Sequence, residues 1–173
     1  MKRVVLWLVV GCGRIGFDSN APFDGSTSDG QDAPSDAPSF TCEPSYTFVI
    51  GASRYRRAGT DEWINSETDC ASDGLGSHLV VIDSAAELAG LAPLANGMTT
   101  WIGTTDRVLE GTWRQVTGPV AMVLPWAVGS GMTGGEDCVA WEPVANELAD
   151  LSCLAAKARI CECDGIAVDP SSF

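Results

Sequence analysis

The sequence is poor in histidine and in basic residues, and it has no long apolar run. His78 is the only histidine, and 10 Lys and Arg face 23 Asp and Glu, for a formal net charge of -13. This charge argues against nucleic-acid binding, because a phosphate backbone requires a surface rich in Lys and Arg. The sequence also has no His-rich metal motif and no Gly-x-Ser-x-Gly nucleophile elbow. We therefore predict that the protein is not an enzyme.

Cysteine, in contrast, is plentiful. Cys12 lies near the N-terminus, and six more cysteines follow between 42 and 163: Cys42, Cys70, Cys138, Cys153, Cys161 and Cys163. An even set within a small exported domain predicts a disulfide framework, for which the sequence alone allows 15 connectivities. A structural zinc site is the alternative, but the Cys161-x-Cys163 spacing is too tight for one and histidine is scarce.

The N-terminus has the plan of a secretory signal. The basic start Met1-Lys2-Arg3 precedes an apolar run and then Gly11-Cys12. Residues 9–12 resemble a bacterial lipobox, which implies a signal peptide over 1–11 and a lipidated Cys12. The run of about seven apolar residues is too short to span a bilayer, so we expect membrane attachment through the lipid alone. Gly13 after the cysteine favours the outer membrane, by resemblance to known sorting rules. A buried strand is the alternative for this segment.

Two further patterns near the N-terminus are misleading. Gly11-x-Gly13-x-x-Gly16 matches a dinucleotide-binding fingerprint, but the motif requires a helix, and Pro22 and Gly25 follow instead. Residues 18–40 consist mostly of Asp, Ser, Gly, Pro, Ala and Thr and include a repeated Asp-Ala-Pro-Ser. We predict a flexible linker over 12–40, because such a segment buries too little apolar surface to fold. Its Asp spacing matches no EF-hand loop.

Residues 41–164 have the pattern of an α+β domain, followed by a tail at 165–173. Apolar runs predict strands at 45–50, 78–82, 101–103, 112–114, 138–141 and 158–161. One helix is predicted to start with Thr60 as its cap and to end near Gly74. A second is predicted from the capping box Ser84-x-x-Glu87 and is expected to end before Pro93. The Gly-rich stretch 116–137 reads as a long loop.

Nine motifs follow one another in order along this domain: Trp63-x6-Cys70, His78-Leu79-Val80, Ser84-x-x-Glu87, Trp101-Ile102-Gly103, Thr105-Asp106, Glu110-Gly111-Thr112-Trp113, Glu136-Asp137-Cys138-Val139, Asp150-x-x-Cys153 and Ile160-Cys161-Glu162. Their order and rough spacing resemble those of C-type lectin-like domains. The resemblance implies two small antiparallel sheets, two helices and a long loop region. It also implies the disulfides Cys70–Cys161 and Cys138–Cys153, and, because the family's termini meet, Cys42–Cys163.

The sugar-chelating calcium site of that family is incomplete here. The family's Glu-Pro-Asn or Gln-Pro-Asp tripeptide corresponds roughly to Ser130-Gly131-Met132, and its Asn-Asp pair corresponds to Ala149-Asp150. Glu136 and Asp150 remain as side-chain ligands, too few for tight calcium binding, so we do not expect calcium-bridged sugar binding.

A neighbouring calcium site of the family retains its acids. The resemblance places four carboxylates there: Asp106, Glu110, Glu136 and Asp137. Four oxygen donors on one loop base would suit calcium. In the alternative, Asp106 and Glu110 cap turns while Glu136 and Asp137 pair with Arg107 or Arg114.

The remaining candidate residues have plainer roles. His78 reads as structural rather than catalytic, because no acid or nucleophile is evident beside it. Arg54, Tyr55, Arg56 and Arg57 read as a solvated turn, with a basic patch as the alternative. Trp126 and Trp141 could stack on sugar rings, although burial in the core is the default for large aromatics.

These observations predict an exported, lipid-anchored binding module of the cell envelope. Its ligand would be a glycan or a protein, bound through the loop region 116–137 with Trp126 and Asp150 as candidate contacts. The alternative is a structural envelope protein whose lectin-like fold has lost ligand binding. An exposed aromatic or apolar patch in the loop would favour the first hypothesis, and a loop packed on itself would favour the second.

Overall fold

Short strands dominate the structure, a computed structural model that describes residues 40–120, 124–131 and 134–173. The described residues form nine strands, two α-helices and one 3-10 helix. In chain order these are β1 (Phe48–Ile50), β2 (Ser53–Asp61), α1 (Trp63–Ala71), β3 (Ser77–Leu79), α2 (Ala85–Ala95), β4 (Thr100–Thr105), β5 (Arg114–Gln115), β6 (Gly118–Pro119), β7 (Cys138–Glu142), β8 (Glu147–Leu151), β9 (Lys157–Cys163) and the 3-10 helix (Pro170–Ser172). The predicted signal peptide, Cys12 and residues 12–39 of the predicted linker lie outside the described residues.

The strands form one hydrogen-bonded network. Its main order is β1-β2-β9-β4-β5-β6, while β3 pairs with β9, and β7 pairs with β4 and β8. The neighbours are antiparallel except for β4 and β9, which run parallel at Thr100 and Trp101. This parallel contact joins two antiparallel groups, one around β9 and one around β4 and β7. The predicted α+β architecture with two helices is confirmed, and its sheet is mixed.

Strand β2 corrects the interpretation of Arg54, Tyr55, Arg56 and Arg57 as a turn. These residues lie inside a nine-residue strand, between β1 and β9. Successive side chains of a strand point to opposite faces. Tyr55 is accordingly buried and donates a hydrogen bond to Glu87 Oε1 at 2.7 Å. Arg56 instead donates hydrogen bonds to Asp69 and Asp73.

Helix α1 begins at Trp63, so the prediction of Thr60 as its cap is wrong. Thr60 and Asp61 pair with β9 at the end of β2, and Glu62 occupies the N-cap position without a side-chain hydrogen bond. Pairing within the sheet has overridden the local capping preference of Thr60. The helix buries Trp63 and Cys70, which share one face.

Helix α2 starts as predicted but does not stop before Pro93. Ser84 Oγ accepts a hydrogen bond from the Glu87 amide at 3.1 Å, and the helix ends at Ala95, with Asn96 as a left-handed C-cap. Proline removes one amide from the helical ladder and crowds the preceding turn, and only Leu94 and Ala95 follow it in this helix. Burial of Leu91 and Ala95 on the core-facing side holds this last turn in place.

Buried side chains form two clusters on the sheet. One includes Tyr55, Leu88, Ile102 and Trp141, and the other includes Trp63, Trp101 and the buried cysteines. Burial of a large apolar side chain contributes about 1.5–3 kcal/mol, so these clusters supply much of the stability. None of the helices in the described residues combines the length and hydropathy needed to cross a membrane.

Three disulfides staple the domain. They join Cys42 to Cys163, Cys70 to Cys161 and Cys138 to Cys153, the same pairs that the resemblance implies. The residues designated a tail from 165 onward pack on the domain. The Asp169 amide donates to Val116 O at 2.7 Å, and the Phe173 ring meets Trp63 edge-on at 5.7 Å between centroids.

Candidate functional site

Asp106 lies directly after β4, at the base of the loop region, and is almost completely buried. Its Oδ2 accepts a hydrogen bond from the Gly111 amide at 2.7 Å, and its own amide donates to Asp137 O at 3.1 Å. Its Oδ1 is buried and has no hydrogen-bond partner among the described residues. Burial raises the pKa of Asp106, and the charges of Asp137 and Asp150 raise this pKa further. A cation would satisfy the orphaned oxygen and oppose these charges.

The other predicted calcium ligands lie around the same loop base. The Glu110 carboxylate lies against Gly134, where an added Cβ would be 3.7 Å from Glu110 Oε2. Glu136 is exposed, and the carbonyl of Asp137 accepts a 2.6 Å hydrogen bond from Thr105 Oγ1. Within the described ranges, however, no three of the four carboxylates bring their oxygens within 4.8 Å of one another. The acids are neighbours of one loop base without forming a closed coordination shell.

The alternative role as turn caps fits part of this geometry. Asp106 Oδ2 does cap the turn that runs to Gly111, whose φ of 75° is left-handed. Arg114, offered as a partner for the loop acids, forms an ion pair with Asp169 at 3.5 Å. Turn capping uses one oxygen of Asp106 and leaves the other buried.

Asp150 lies on β8 and is buried beside the same loop base. It pairs with Val139 of β7, and its charge acts on Asp106. The residue before it is Ala149, which offers no side-chain oxygen. Of the tripeptide position, Ser130 and Gly131 are described and Met132 lies outside the described residues.

Trp126 is half-buried in the loop between β6 and β7. Its ring lies 4.8 Å from that of Trp113 between centroids, at 49° between planes. Gly131 packs over the other part of the ring, where an added Cβ would lie 2.9 Å from Trp126 Cδ2. The Ala127 amide also donates to Leu148 O at 2.8 Å, which ties this stretch to β8. Trp126 is therefore a partly accessible edge of the core, whereas Trp141 is fully buried.

Apolar side chains are exposed on the loops that flank the acids. Val128 is fully exposed in the long loop, and Val108 and Leu109 are more than half exposed in the turn after Asp106. Contiguous apolar patches mark binding surfaces, whereas single exposed apolar side chains are common on any protein. Within the long loop, Gly131 packs on Trp126 and Ala127 is bonded to β8, whereas Val128 is exposed to solvent.

His78 is buried on β3 and has acid neighbours that the sequence did not reveal. Its Nε2 lies 3.2 Å from Asp164 Oδ1, and Glu162 is its partner across the strands. Glu67 and Glu162 are also buried, and burial raises the pKa of each to about 7. Glu67 could have been found from its spacing, because it lies four residues after Trp63 and three before Cys70 on one helix face.

Comparisons with a family model and with known protein sequences indicate the same family. A family model described as the Lectin C-type domain matches residues 59–163. Human C-type lectin domain family 4 member E is 31% identical over 133 residues, covering 72% of this chain and 60% of that protein. The CD209 antigen of Papio hamadryas is 33% identical over 129 residues, covering 70% of this chain and 34% of that protein. The chain therefore spans less than two thirds of these relatives' own length.

Solved structures agree with the sequence comparisons. The carbohydrate-recognition domain of the mouse scavenger receptor C-type lectin superposes with a TM-score of 0.62 at 25% identity, covering 74% of this chain and all of that one. A calcium-independent type II antifreeze protein superposes with a TM-score of 0.63 at 25% identity, covering 75% of this chain and 96% of that one.

Proposed function

The chain belongs to the C-type lectin domain family, and on that premise we propose that it binds a glycan or a protein ligand, without catalysis, through the loop region 116–137. The observation that carries the proposal is the orphaned Asp106 Oδ1 at the base of this loop, beside Asp137 and Asp150. Exposed Val128, and the exposed part of Trp126, supply apolar contact area in the same loop region. Tryptophan is among the residues enriched at the hot spots that dominate binding energy at recognition surfaces.

We propose that calcium binds at the loop base. Asp106, Glu110, Glu136 and Asp137 would hold it, and the donor set fits because calcium takes six to eight oxygen ligands. When bound, the ion would neutralise the carboxylates and link the turn after β4 to the segment before β7. Because the four carboxylates are not gathered in the described structure, binding requires Glu110 and Glu136 to turn inward. The loss of the family's tripeptide favours recognition of ligand by the loop surface rather than by the ion.

The second candidate is a structural envelope protein that has lost ligand binding. The packing of Gly131 on Trp126 and the hydrogen bonds between the loop and β8 favour it. Such packing reduces the area that the loop can offer to a partner. The exposed Val128, Val108 and Leu109 favour the binding module instead, and we retain it as the first proposal.

The cellular setting is also a proposal. We propose a bacterial lipoprotein with a signal peptide over 1–11, a lipidated Cys12 and a linker over 12–40, supported by the basic start and the Gly11-Cys12 junction. A linker rich in Asp, Ser and Pro would hold a domain over 41–164 away from the membrane surface. Such an anchor would attach the module to the cell envelope, at the outer membrane. Metabolic labelling with a fatty-acid analogue tests it, since labelling must disappear in Cys12→Ala.

Thermal unfolding of the oxidised full chain, with calcium and with excess chelator, tests the calcium site. A ligand that binds only the folded state raises the free energy of unfolding by about 2.7 kcal/mol when its concentration is 100 times its dissociation constant. We expect this gain in the wild type and its loss in Asp106→Asn and Glu136→Gln. Glu147→Gln removes one exposed carboxylate from β8 and is the matched control that should keep the gain.

A glycan and envelope-protein screen tests the binding function itself. It is run with and without calcium, on the wild type and on Val128→Asp. A ligand that is lost in Val128→Asp supports recognition by the loop. No stabilisation by millimolar calcium would refute the metal site alone, whereas the absence of any ligand in either condition would favour the structural role.

A further inference from the structure

A second group of metal-ligating side chains lies between β3 and β9, and it shares no residue with the loop site. His78, Glu162 and Asp164 each offer a ligand atom, and these atoms all lie within 4.8 Å of one another. His78 and Glu162 are direct partners across the two strands. Asp164 follows Glu162 by two residues, which in an extended chain places both carboxylates on the same side. The register of β3 on β9 thus brings together three groups that are far apart in the sequence.

The hydrogen bonds of His78 prepare one ring nitrogen to bind a cation. Nδ1 lies 2.8 Å from the carbonyl oxygen of Leu79, which can only accept, so Nδ1 carries a proton. In the neutral ring, Nε2 then presents a lone pair, and it lies 3.2 Å from the acceptor Asp164 Oδ1. Two acceptors at this distance require a proton or a cation between them. Histidines that bind metals usually donate their other N–H to a carbonyl or carboxylate in this way.

His78 is the only basic member of the group, and a proton on it would balance only one of the two carboxylates. His78 and Glu162 are buried, and the Asp164 side chain is 13% exposed. Among the described residues, no Lys or Arg forms an ion pair with Glu162 or Asp164. The Asp83 carboxylate lies near enough to interact with the charges of Asp164 and His78, and it adds another negative charge. Buried charges in proteins are paired or coordinate metals, so a dication would complete this cluster.

The backbone holds Asp164 in position. The amides of Asp164 and Gly165 both donate to Gly76 O, at 3.1 and 3.3 Å. Asp164 Oδ1 also accepts a 2.7 Å hydrogen bond from the Ile166 amide. The two chain segments touch so closely that a Cβ on Gly76 would lie 2.3 Å from Gly165 Cα. A ligand set that is fixed before binding loses little conformational entropy when an ion enters.

We propose that His78, Glu162 and Asp164 form a site for a divalent transition-metal ion, with zinc as the ion that they fit best. Imidazole suits first-row transition metals, and two carboxylates balance the charge of a dication. Zinc binds His nitrogen and carboxylate oxygen at about 2.0–2.2 Å, and three protein ligands leave a fourth position for water. The Asp164 side is the one that solvent reaches. This site goes beyond the proposed function and does not depend on it.

Metal titration of the full chain tests the proposal. The protein is isolated with its disulfides formed, and every arm carries Cys12→Ser so that no unpaired thiol remains. Cobalt binding is followed by optical absorption, and zinc binding by calorimetry and by displacement of cobalt. We expect one zinc ion per chain, and we expect His78→Asn and Asp164→Asn to weaken its binding by more than about tenfold. Asn at 78 keeps a donor near the Nδ1 position but offers no ligand at Nε2.

Two control variants distinguish the loss of a metal ligand from the loss of a carboxylate elsewhere. Asp83→Asn removes a neighbouring negative charge but no ligand, and it should change zinc affinity by less than about fivefold. Asp106→Asn should leave zinc affinity unchanged, because the loop site is separate. The proposal is overturned if the wild type binds no zinc at millimolar concentration, or if Asp164→Asn, whose partly exposed side chain tolerates replacement, binds as tightly as the wild type. It is also overturned if Asp106→Asn abolishes zinc binding.

Discussion

Several acidic residues of this domain are buried individually, in places from which water is excluded. Glu67 is the clearest case, because it lies on α1 with 1% of its surface exposed. Its Oε2 accepts a hydrogen bond from the Leu79 amide at 2.8 Å, which connects the helix to β3. Its Oε1 has no partner among the described residues. The carboxyl group therefore serves as a hydrogen-bond acceptor, and its charge is a cost to the folded state.

This cost predicts a pH-dependent effect of Glu67→Gln. Burial raises the pKa of Glu67 from 4.5 to about 7, so the folded protein keeps a proton that the unfolded chain loses. The stability of the wild type therefore falls as pH rises from about 4.5 to 7, whereas an amide is insensitive to pH. We expect the free energy of unfolding of Glu67→Gln to exceed that of the wild type by about 1–3 kcal/mol at pH 8. We expect no such gain below pH 4.5, where both states of the wild type hold the proton. Denaturant unfolding at several pH values measures the difference.

The control for this experiment is Glu147→Gln on the exposed face of β8. It is expected to change the free energy of unfolding by less than about 0.5 kcal/mol. A Glu67→Gln difference that stays constant across the pH range would show that folding does not raise the pKa of Glu67, and our assignment of its pKa would then be wrong.

At the scale of elements, the sequence predicts best where the signal is local. The Ser84 cap and Glu87 lie three residues apart, and the structure has the hydrogen bond between them. The end of β2 was not predictable in this way, because Thr60 is held by Ala158, which is far along the chain. Pro93 stays helical for a similar reason, since tertiary burial of Leu91 and Ala95 decides the end of α2. Strand β8 was missed, since its Glu147-Leu148-Ala149-Asp150-Leu151 lacks β-branched residues.

The contact between the start of β3 and the end of β9 gives a prediction about glycine. Gly76 has a φ of +76°, and an added Cβ would lie 2.3 Å from Gly165 Cα. Gly97, after α2, has a φ of +71° but nothing within 4 Å of an added Cβ. We expect Gly97→Ala to cost about 1–2 kcal/mol through backbone strain alone. Gly76→Ala should lower the free energy of unfolding by a further amount of about 1–3 kcal/mol, because the backbone at Gly165 has to move away from the new Cβ. Urea unfolding of both variants measures this, and equal losses would show that the two segments separate easily.

At the scale of the whole molecule, the fold was predictable and the sites only in part. The resemblance named the acids at the loop base, because they stand next to motifs with fixed spacing. It could not show that Asp106 keeps one oxygen unsatisfied, since that depends on the packing of segments distant in sequence around its side chain. The group of His78, Glu162 and Asp164 was missed for the same reason, because it exists only once β3 is in register with β9.

The disulfides connect global stability with the loop site, and they should do so unequally. Cys42–Cys163 closes a span of 121 residues and Cys138–Cys153 a span of 15. In the chain-entropy description, a loop of about 100 residues contributes about 4.7 kcal/mol and one of about 15 residues about 3 kcal/mol. We therefore expect the pair of changes Cys42→Ser and Cys163→Ser to cost more in denaturant unfolding than Cys138→Ser with Cys153→Ser.

The response to calcium should show the opposite order. Cys138 directly follows Asp137, and Cys153 lies three residues after Asp150, so this short bridge fixes the acids of the loop base. Removing it frees the backbone that positions those carboxylates, whereas removing Cys42–Cys163 leaves it in place. We expect calcium to stabilise the variant that lacks Cys42–Cys163 but not the variant that lacks Cys138–Cys153. Unfolding of both variants is measured with and without calcium at matched temperatures below their thermal unfolding. If both variants kept it, β7 and β8 pairing alone would suffice to hold the loop base, and the disulfide would serve stability only.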